Sequence, residues 1–360
     1  MVDMKFELIS AEDFRAFTNS SPYRSFMQTP EIANYRESEG WTTYYFAVVE
    51  KDIIVAAALA FAKPTFLGKS SYVIPGGPIM DYENRPLVQF FLKNLKLYAK
   101  THNGYEIRIS PYYELIERDR NGLKVEEGFD HSEVLTTMRN CGFLAVSDAS
   151  QPKYLFVLDI NGRSANELFA DFKRNTRNHI RKAERQGVTV RELKRSELGT
   201  LKAITESTSK RRNFSDRPLS YYEKMYDLFT PRDEIKYLVA EANINGKNTP
   251  LAVAMFMLYG DEIVYLFSGS DEKYMREYNA QYLIQWQIIQ YAAEHHFARY
   301  NFYGIQGLPD QNSKDYGIYD FKKGFGGHVV ELAGTFSAKI SSLAYLHSLL
   351  VNFKKHITKP

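Results

Sequence analysis

"YLFSGS" (265–270) and "YNFYGI" (300–305) decide the fold, because their arrangement occurs once before in the chain. "YVIPGG" (72–77) and "YEIRIS" (105–110) repeat it. In both places an aromatic and β-branched run ends at glycine, a helical stretch follows, and a second strand-like run returns. The first tyrosines of the two runs lie 33 residues apart in one case (72 to 105) and 35 in the other (265 to 300).

Working outward, each unit follows a strand meander. "TTYYFAVVE" (42–50) and "DIIVAAALAFA" (52–62) flank a turn at Lys51-Asp52, and "SSYVIPGGPIMD" (70–81) ends in a Pro-Gly-Gly-Pro break. A helix over 85–102 places Leu87, Phe90, Phe91, Leu95 and Tyr98 on one face, and a helical stretch over 131–142 closes the first half. In the second half "KYLFVLDI" (153–160) is a strand. A capping box at Ser164–Glu167 opens a helix expected to run unbroken to Gly187. A strand over 188–193 and helices near 196–212 and 219–228 come next. Strands "IKYLVAEAN", "LAVAMFMLYG" and "EIVYLFSGS" and a helix over 279–297 complete the half. The expectation is an α/β protein of mixed sheets, a structural duplication of one domain. The first domain spans 1–152 and is completed by the C-terminal segment 326–360; the second spans 153–325. A strand followed by a helix that opens at a glycine-rich break is the plan of N-acetyltransferase (GNAT) folds. The Arg/Gln-x-x-Gly-x-Gly pyrophosphate loop, a Walker A motif and a Rossmann fingerprint are absent, so acetyl-CoA is not implied and no cofactor is expected.

Composition narrows the function. One cysteine, Cys141, excludes an intramolecular disulfide framework, and the eight scattered histidines offer no ligand spacing, so no metal is expected. The N-terminus carries acids and no apolar core of a signal peptide, and no run reaches the roughly 18 apolar residues of a spanning helix. A cytoplasmic monomer is expected. Charge is uneven: from Asp171 to Arg195 nine Lys/Arg face three Asp/Glu, on a chain whose formal net charge is +3. Within "FKRNTRNHIRKAERQG" (172–187), Arg174, Arg177, Arg181 and Arg185 share one helical face opposite Phe169, Phe172, Thr176, Ile180 and Ala183. A solvated surface helix is the plain reading of such a run. Like charges at i,i+4 destabilise it, however, and that cost makes sense if an anion such as RNA binds there.

The ordered set "SFMQTPE", "YYFAVVEKDIIVAAAL", "GGPIMD", "RNTRNHIRKAERQGVTVRE", "YLFSGSDE", "LIQWQIIQYAAEHHFARYNFYGIQG" and "GIYDFKKGFGGHVVELAGTF" runs from about residue 25 to 336. With it the chain resembles the FemABX family of aminoacyl-tRNA-dependent peptidyltransferases, which build the side branch of bacterial peptidoglycan. The resemblance implies two GNAT-like domains with a cleft between them. "EIKYLVAEANINGKNTPLAVAM" reads as a plain hairpin with no room for the helical arm of the larger Fem proteins, so the chain resembles the compact FemX type. The implied partners are aminoacyl-tRNA and UDP-MurNAc-pentapeptide or a lipid-linked precursor. The implied reaction transfers an amino acid to the ε-amine of the stem-peptide lysine; whether alanine, serine or glycine is left open.

The resemblance also implies roles for particular residues. Lys322, in "DFKKGFGG", matches the family lysine proposed to stabilise developing negative charge, with Lys323 as the fallback. Read alone, a Lys-Lys pair beside glycines is a solvated turn. Arg36 in "EIANYR" and Arg211 in "TSKRRNF" match the cations that bind the UDP diphosphate, with Arg212 and Arg217 near the second. Tyr105 and Tyr265 correspond to tyrosines that touch the nucleotide precursor. Arg174, Arg177, Arg181 and Arg185 are assigned to tRNA. Ser110 stands where the family often has an aspartate considered as a general base; Asp81 and Asp320 are substitutes for that role. In "SSLAYLHSLLVNFKKHITKP" (341–360), Leu343, Leu346, Leu350 and Phe353 form one face beside Lys354, Lys355 and Lys359. That face reads as a docked terminal helix, or as a weak contact with the anionic inner membrane surface. The rival functions are a CoA-dependent N-acyltransferase and a non-catalytic RNA-binding protein.

Overall fold

The computed structural model describes residues 3–64, 68–147, 151–212, 215–308, 310–313, 315–342 and 344. The terminal apolar face at Leu343, Leu346, Leu350 and Phe353, with its lysines, lies outside the described residues. The chain divides into two compact units. One comprises the described residues of Met1–Glu117, Lys124–Lys153 and Glu331–Pro360; the other comprises Arg118–Leu123 and those of Tyr154–Val330.

In the first unit the strand order is Met4–Leu8, Thr42–Glu50, Ile53–Pro64, Ser70–Gly76, Gly104–Pro111, Phe336–Lys339 and Leu144–Ala145. All neighbours are antiparallel except Ser70–Gly76 and Gly104–Pro111, which run parallel and stay paired from Ser70 to Gly76. Lys51 and Asp52 both have positive φ (49° and 63°), which gives the tight hairpin the sequence suggests. The helix Arg85–Thr101, capped by Asn84 Oδ1 on the Leu87 N–H, buries Leu87, Val88, Phe91, Leu92, Leu95 and Ala99. They join a core with Phe46, Ile74, Ile107 and Ile109. Gln28 of "SFMQTPE" is fully buried. Its amide donates to the carbonyls of Leu59 (3.0 Å) and Pro75 (2.8 Å) and accepts from the Leu59 N–H (2.7 Å). It bonds backbone groups of two strands, so that motif serves the fold.

The second unit repeats the plan. Its order is Thr189–Glu192, Ile235–Ile244, Lys247–Tyr259, Glu262–Ser270, Arg299–Ile305 and Tyr154–Asp159, then the residues up to Val330 of the strand His328–Leu332. Again a three-stranded antiparallel meander leads into one parallel pair, here Glu262–Ser270 with Arg299–Ile305, followed by an antiparallel strand. The two units share one plan, as the sequence repeat implies. The expected hairpin is present: Asn245 and Gly246, both at positive φ, join its strands directly, and a bulge at Ala240/Glu241 accommodates Pro250.

One helix expectation needs correction. The capping box at Ser164 forms, but the helix it opens ends at Asp171, and a second helix runs from Arg174 to Arg185. Phe172 turns to extended backbone (ψ 146°) because its ring is buried against Phe169, Trp286 and Phe325. The Lys173 N–H then bonds the Gly324 carbonyl (2.8 Å). The helix expected over 279–297 stands at Ala280–Glu294, and a short helix, Glu272–Tyr278, precedes it, set off by Asn279 at a left-handed φ of 53°. Among the described residues no helix is long and apolar enough to cross a membrane.

Candidate active site

In the second unit the parallel strands Glu262–Ser270 and Arg299–Ile305 pair only at Glu262–Arg299, Ile263–Tyr300 and Val264–Asn301. Beyond that point they part, leaving backbone groups of both strands outside the ladder. Lys322 answers some of them. It lies in the last turn of the helix Tyr316–Lys323 and is only 5% exposed. Its Nζ donates to the carbonyls of Gly304 (2.6 Å) and Tyr303 (3.2 Å). Burial with no carboxylate to offset it lowers its ionisation from 10.5 to about 7. A buried lysine at such a value exists in both forms at neutral pH, which suits electrostatic and proton-transfer chemistry. The neighbouring glycines allow the close packing. A Cβ at Gly324 would collide with Thr176 Oγ1, and one at Gly327 with the Val157 carbonyl.

Lys323 is placed differently. Its Nζ donates to Asn121 Oδ1 (2.6 Å) and lies over the Tyr319 ring, outside the parted strands. Asp320 is paired at the surface with Lys173 (2.7 Å). Asp81 is exposed and accepts from the Glu83 N–H (2.9 Å). Ser110 is buried with its hydroxyl on Thr335 (2.9 Å). Asp320, Asp81 and Ser110 thus each have a partner within their own unit.

The parted strand also carries Tyr265. Its hydroxyl donates to Ser268 Oγ and accepts from Gln281 Nε2 (2.9 Å), and burial pushes its ionisation up to about 12. Tyr105 is 3% exposed at the start of a central strand, a position that leaves little side-chain surface for a ligand. Arg211 ends the helix Leu198–Arg212 with one terminal guanidinium nitrogen, NH1, buried and unpartnered. Arg36, in the helix Pro30–Ser38, packs its guanidinium 5.5–5.7 Å from the rings of Tyr35, Trp41 and Phe61 and leaves Nε unpartnered. A buried cationic donor without an acceptor is costly unless a ligand completes it.

Sequence reasoning named Arg217 but missed the residues around it. Asp216 accepts from Lys202 (2.7 Å), Thr205 (2.9 Å) and Tyr222 (2.8 Å), which fixes the segment leading to Arg217. Arg217 lies over the Tyr221 ring at 5.4 Å. The Tyr303 phenol is held above its usual range by burial and the nearby Tyr221, opposed by Arg217. The Asn-Phe-Tyr-Gly run was a weak signal, since it puts an asparagine two residues before a tyrosine at positive φ.

On the basic helix Arg174, Arg181 and Arg185 are exposed, but Arg177 is half-buried and committed. Its guanidinium donates to the carbonyls of Ala170 and Phe172 (3.0 Å to the latter), capping the preceding helix. Arg181 lies over Phe169 at 5.3 Å. Thr176, Ile180 and Ala183 form the buried side. Among the described residues no group of three or more His, Cys, Asp or Glu is placed to hold a metal.

The sequence model described as "FemAB family" matches residues 9–247 and 244–352, two stretches that meet at the Asn245-Gly246 turn. "Aminoacyltransferase FemA" of Staphylococcus aureus (strain bovine RF122 / ET3-1) is 26% identical over 410 aligned residues, covering 95% of this chain and 97% of that protein. Among solved structures, "Crystal structure of FemX" superposes with a TM-score of 0.82 at 21% identity, over 95% of this chain and 99% of that one. A tandem GNAT protein from the clavulanic acid biosynthesis pathway superposes with a TM-score of 0.57 at 9% identity, over 94% and 99%. These two likenesses establish the duplicated fold.

Proposed function

Since the chain belongs to the FemAB family, we propose that it transfers one amino acid from aminoacyl-tRNA to the stem-peptide lysine of a peptidoglycan precursor. UDP-MurNAc-pentapeptide is the acceptor we favour. The enzyme class, aminoacyltransferase, follows from the family and its FemA relatives. The single observation that carries the chemical reading is Lys322: a buried lysine beside parted strands, held on two carbonyls and free of any carboxylate.

The reaction is aminolysis of an ester. The acceptor's neutral ε-amine attacks the aminoacyl carbonyl, the C–N bond forms and the carbonyl oxygen becomes an oxyanion. Collapse breaks the bond to the ribose oxygen of tRNA, which leaves with a proton. The products are an amide and free tRNA. In our reading the Lys322 ammonium stabilises the oxyanion and can supply the proton to the leaving oxygen, regaining one from the proton that the attacking nitrogen loses as it becomes an amide. Arg36 and Arg211 each offer an unpartnered nitrogen and are proposed to bind acceptor phosphate, Tyr265 to contact the precursor, and Arg174, Arg181 and Arg185 to meet tRNA phosphates. Lys323 and Tyr105 have structural surroundings and carry less of the proposal.

The test uses purified protein, UDP-MurNAc-pentapeptide and charged or uncharged tRNA. Acceptor gaining the mass of one amino-acid residue, only with charged tRNA, supports the transferase. Acylation from acetyl-CoA would select the CoA-dependent alternative, and RNA retention with no product the RNA-binding one.

A further inference from the structure

The strand that holds Lys322 is kinked, and one buried side chain makes the kink. Asn301 is the last residue paired with the neighbouring parallel strand, opposite Val264. It is fully buried. Its Oδ1 accepts from the N–H of Tyr303, two residues on, at 2.7 Å, and its Nδ2 donates to Glu262 Oε1 at 3.1 Å. The N–H of Tyr303 is thereby satisfied locally, in an Asx turn. Tyr303 takes a left-handed φ of 63°, uncommon for a bulky residue, and the register with Tyr154–Asp159 slips between Asn301 and Gly304.

The kink has a chemical consequence. Successive carbonyls of a regular strand point to opposite sides, so one ammonium could not take two in a row. Here the consecutive carbonyls of Tyr303 and Gly304 both reach Lys322 Nζ. Strain of this kind persists where surrounding structure holds it, and it collects at functional sites. We propose that Asn301 is the positioning residue for Lys322: by accepting the Tyr303 N–H it ends the parallel ladder and turns two carbonyls onto the ammonium. The proposal rests on the role given to Lys322 above. Asn301 acts through Lys322 and meets neither substrate.

The experiment is a double-mutant cycle on the full chain, with saturating charged tRNA and UDP-MurNAc-pentapeptide. Asn301→Val removes the acceptor. It should lower kcat about tenfold, the scale of a misplaced group, with both KM values within about twofold. In a Lys322→Ala background the same change should cost less than about twofold, because the residue it positions is gone. Asn301→Ser, whose hydroxyl can make a weaker version of the turn, should recover part of the rate. An Asn301→Val rate equal to wild type, or an equal loss in both backgrounds, overturns the proposal. Lys322→Ala at wild-type rate defeats the underlying reading instead. Should Asn301→Val fail to fold, as read by its thermal transition, Asn301→Ala, which also lacks the acceptor, runs the same cycle with the same two criteria.

Discussion

Replacing Lys322 by methionine should make the substrate-free protein more stable at mildly acidic pH while removing its activity. Lowering a lysine ionisation from 10.5 to about 7 corresponds to about 5 kcal/mol against the protonated folded state. Below pH 7 folded and unfolded chains both carry the proton, so the fold bears the full penalty. From about 7 to 10.5 the unfolded chain holds a proton that the folded one has released, and stability therefore rises with pH across that window. Methionine fills the space without charge but strips the Tyr303 and Gly304 carbonyls of their donor, at about 1 kcal/mol each. The variant should thus lead by about 3 kcal/mol at pH 6. It should draw level near pH 9, where about 2 kcal/mol of the lysine's penalty remains. Urea denaturation of both proteins at pH 6, 7.5 and 9 measures this. A methionine variant less stable than wild type at pH 6, or a difference that does not change with pH, would refute the reasoning.

Arg211→Ala should weaken UDP-MurNAc-pentapeptide binding by roughly 1–3 kcal/mol with little change in thermal midpoint, since NH1 has no partner to lose. Arg36→Ala should weaken it similarly but also lower the midpoint, because three aromatic rings lose their cation; calorimetry and melting read both. Charge reversal at Arg181 and Arg185 together should raise KM for aminoacyl-tRNA and flatten its log–log salt dependence by roughly 1–2, with the acceptor KM unmoved; an unchanged salt slope would place tRNA elsewhere. Arg177→Ala should instead melt earlier, by about 1 kcal/mol, as Ala170 and Phe172 lose a charged donor.

Much of the fold could be read from periodicity and punctuation. The paired Tyr-to-Tyr spacing corresponds to two parallel strand pairs, each fed by an antiparallel meander, and Lys51-Asp52 and Asn245-Gly246 make the hairpin turns, the second with the residue types such a turn favours. The single helix through residues 164–187 was misread because helical spacing continues across Phe172. What breaks it is tertiary: the ring's burial against Trp286 and Phe325, and the bond from Lys173 to Gly324. The same limit applies to the candidate site. "DFKKGFGG" marks a lysine pair that reads by itself as a solvated turn; the resemblance ranks Lys322 first, and the physical difference between the two is burial, which depends on where two strands part. Arg177 looked like its neighbours on the basic face until the helix break supplied carbonyls for it to cap. Asp216 and Asn301 carry no local signal strong enough to single them out, since their partners Tyr222, Thr205 and Glu262 are gathered by the fold.

The central claim is that Lys322 serves the transfer step itself. Its most direct test is the single-turnover rate of amino-acid transfer by wild type and Lys322→Ala, both at saturating aminoacyl-tRNA and UDP-MurNAc-pentapeptide, with acceptor affinity measured separately. The account predicts a rate lower by about a hundredfold, on the order of 3 kcal/mol for one oxyanion donor, and an acceptor affinity nearly unchanged. A wild-type rate in Lys322→Ala would contradict it.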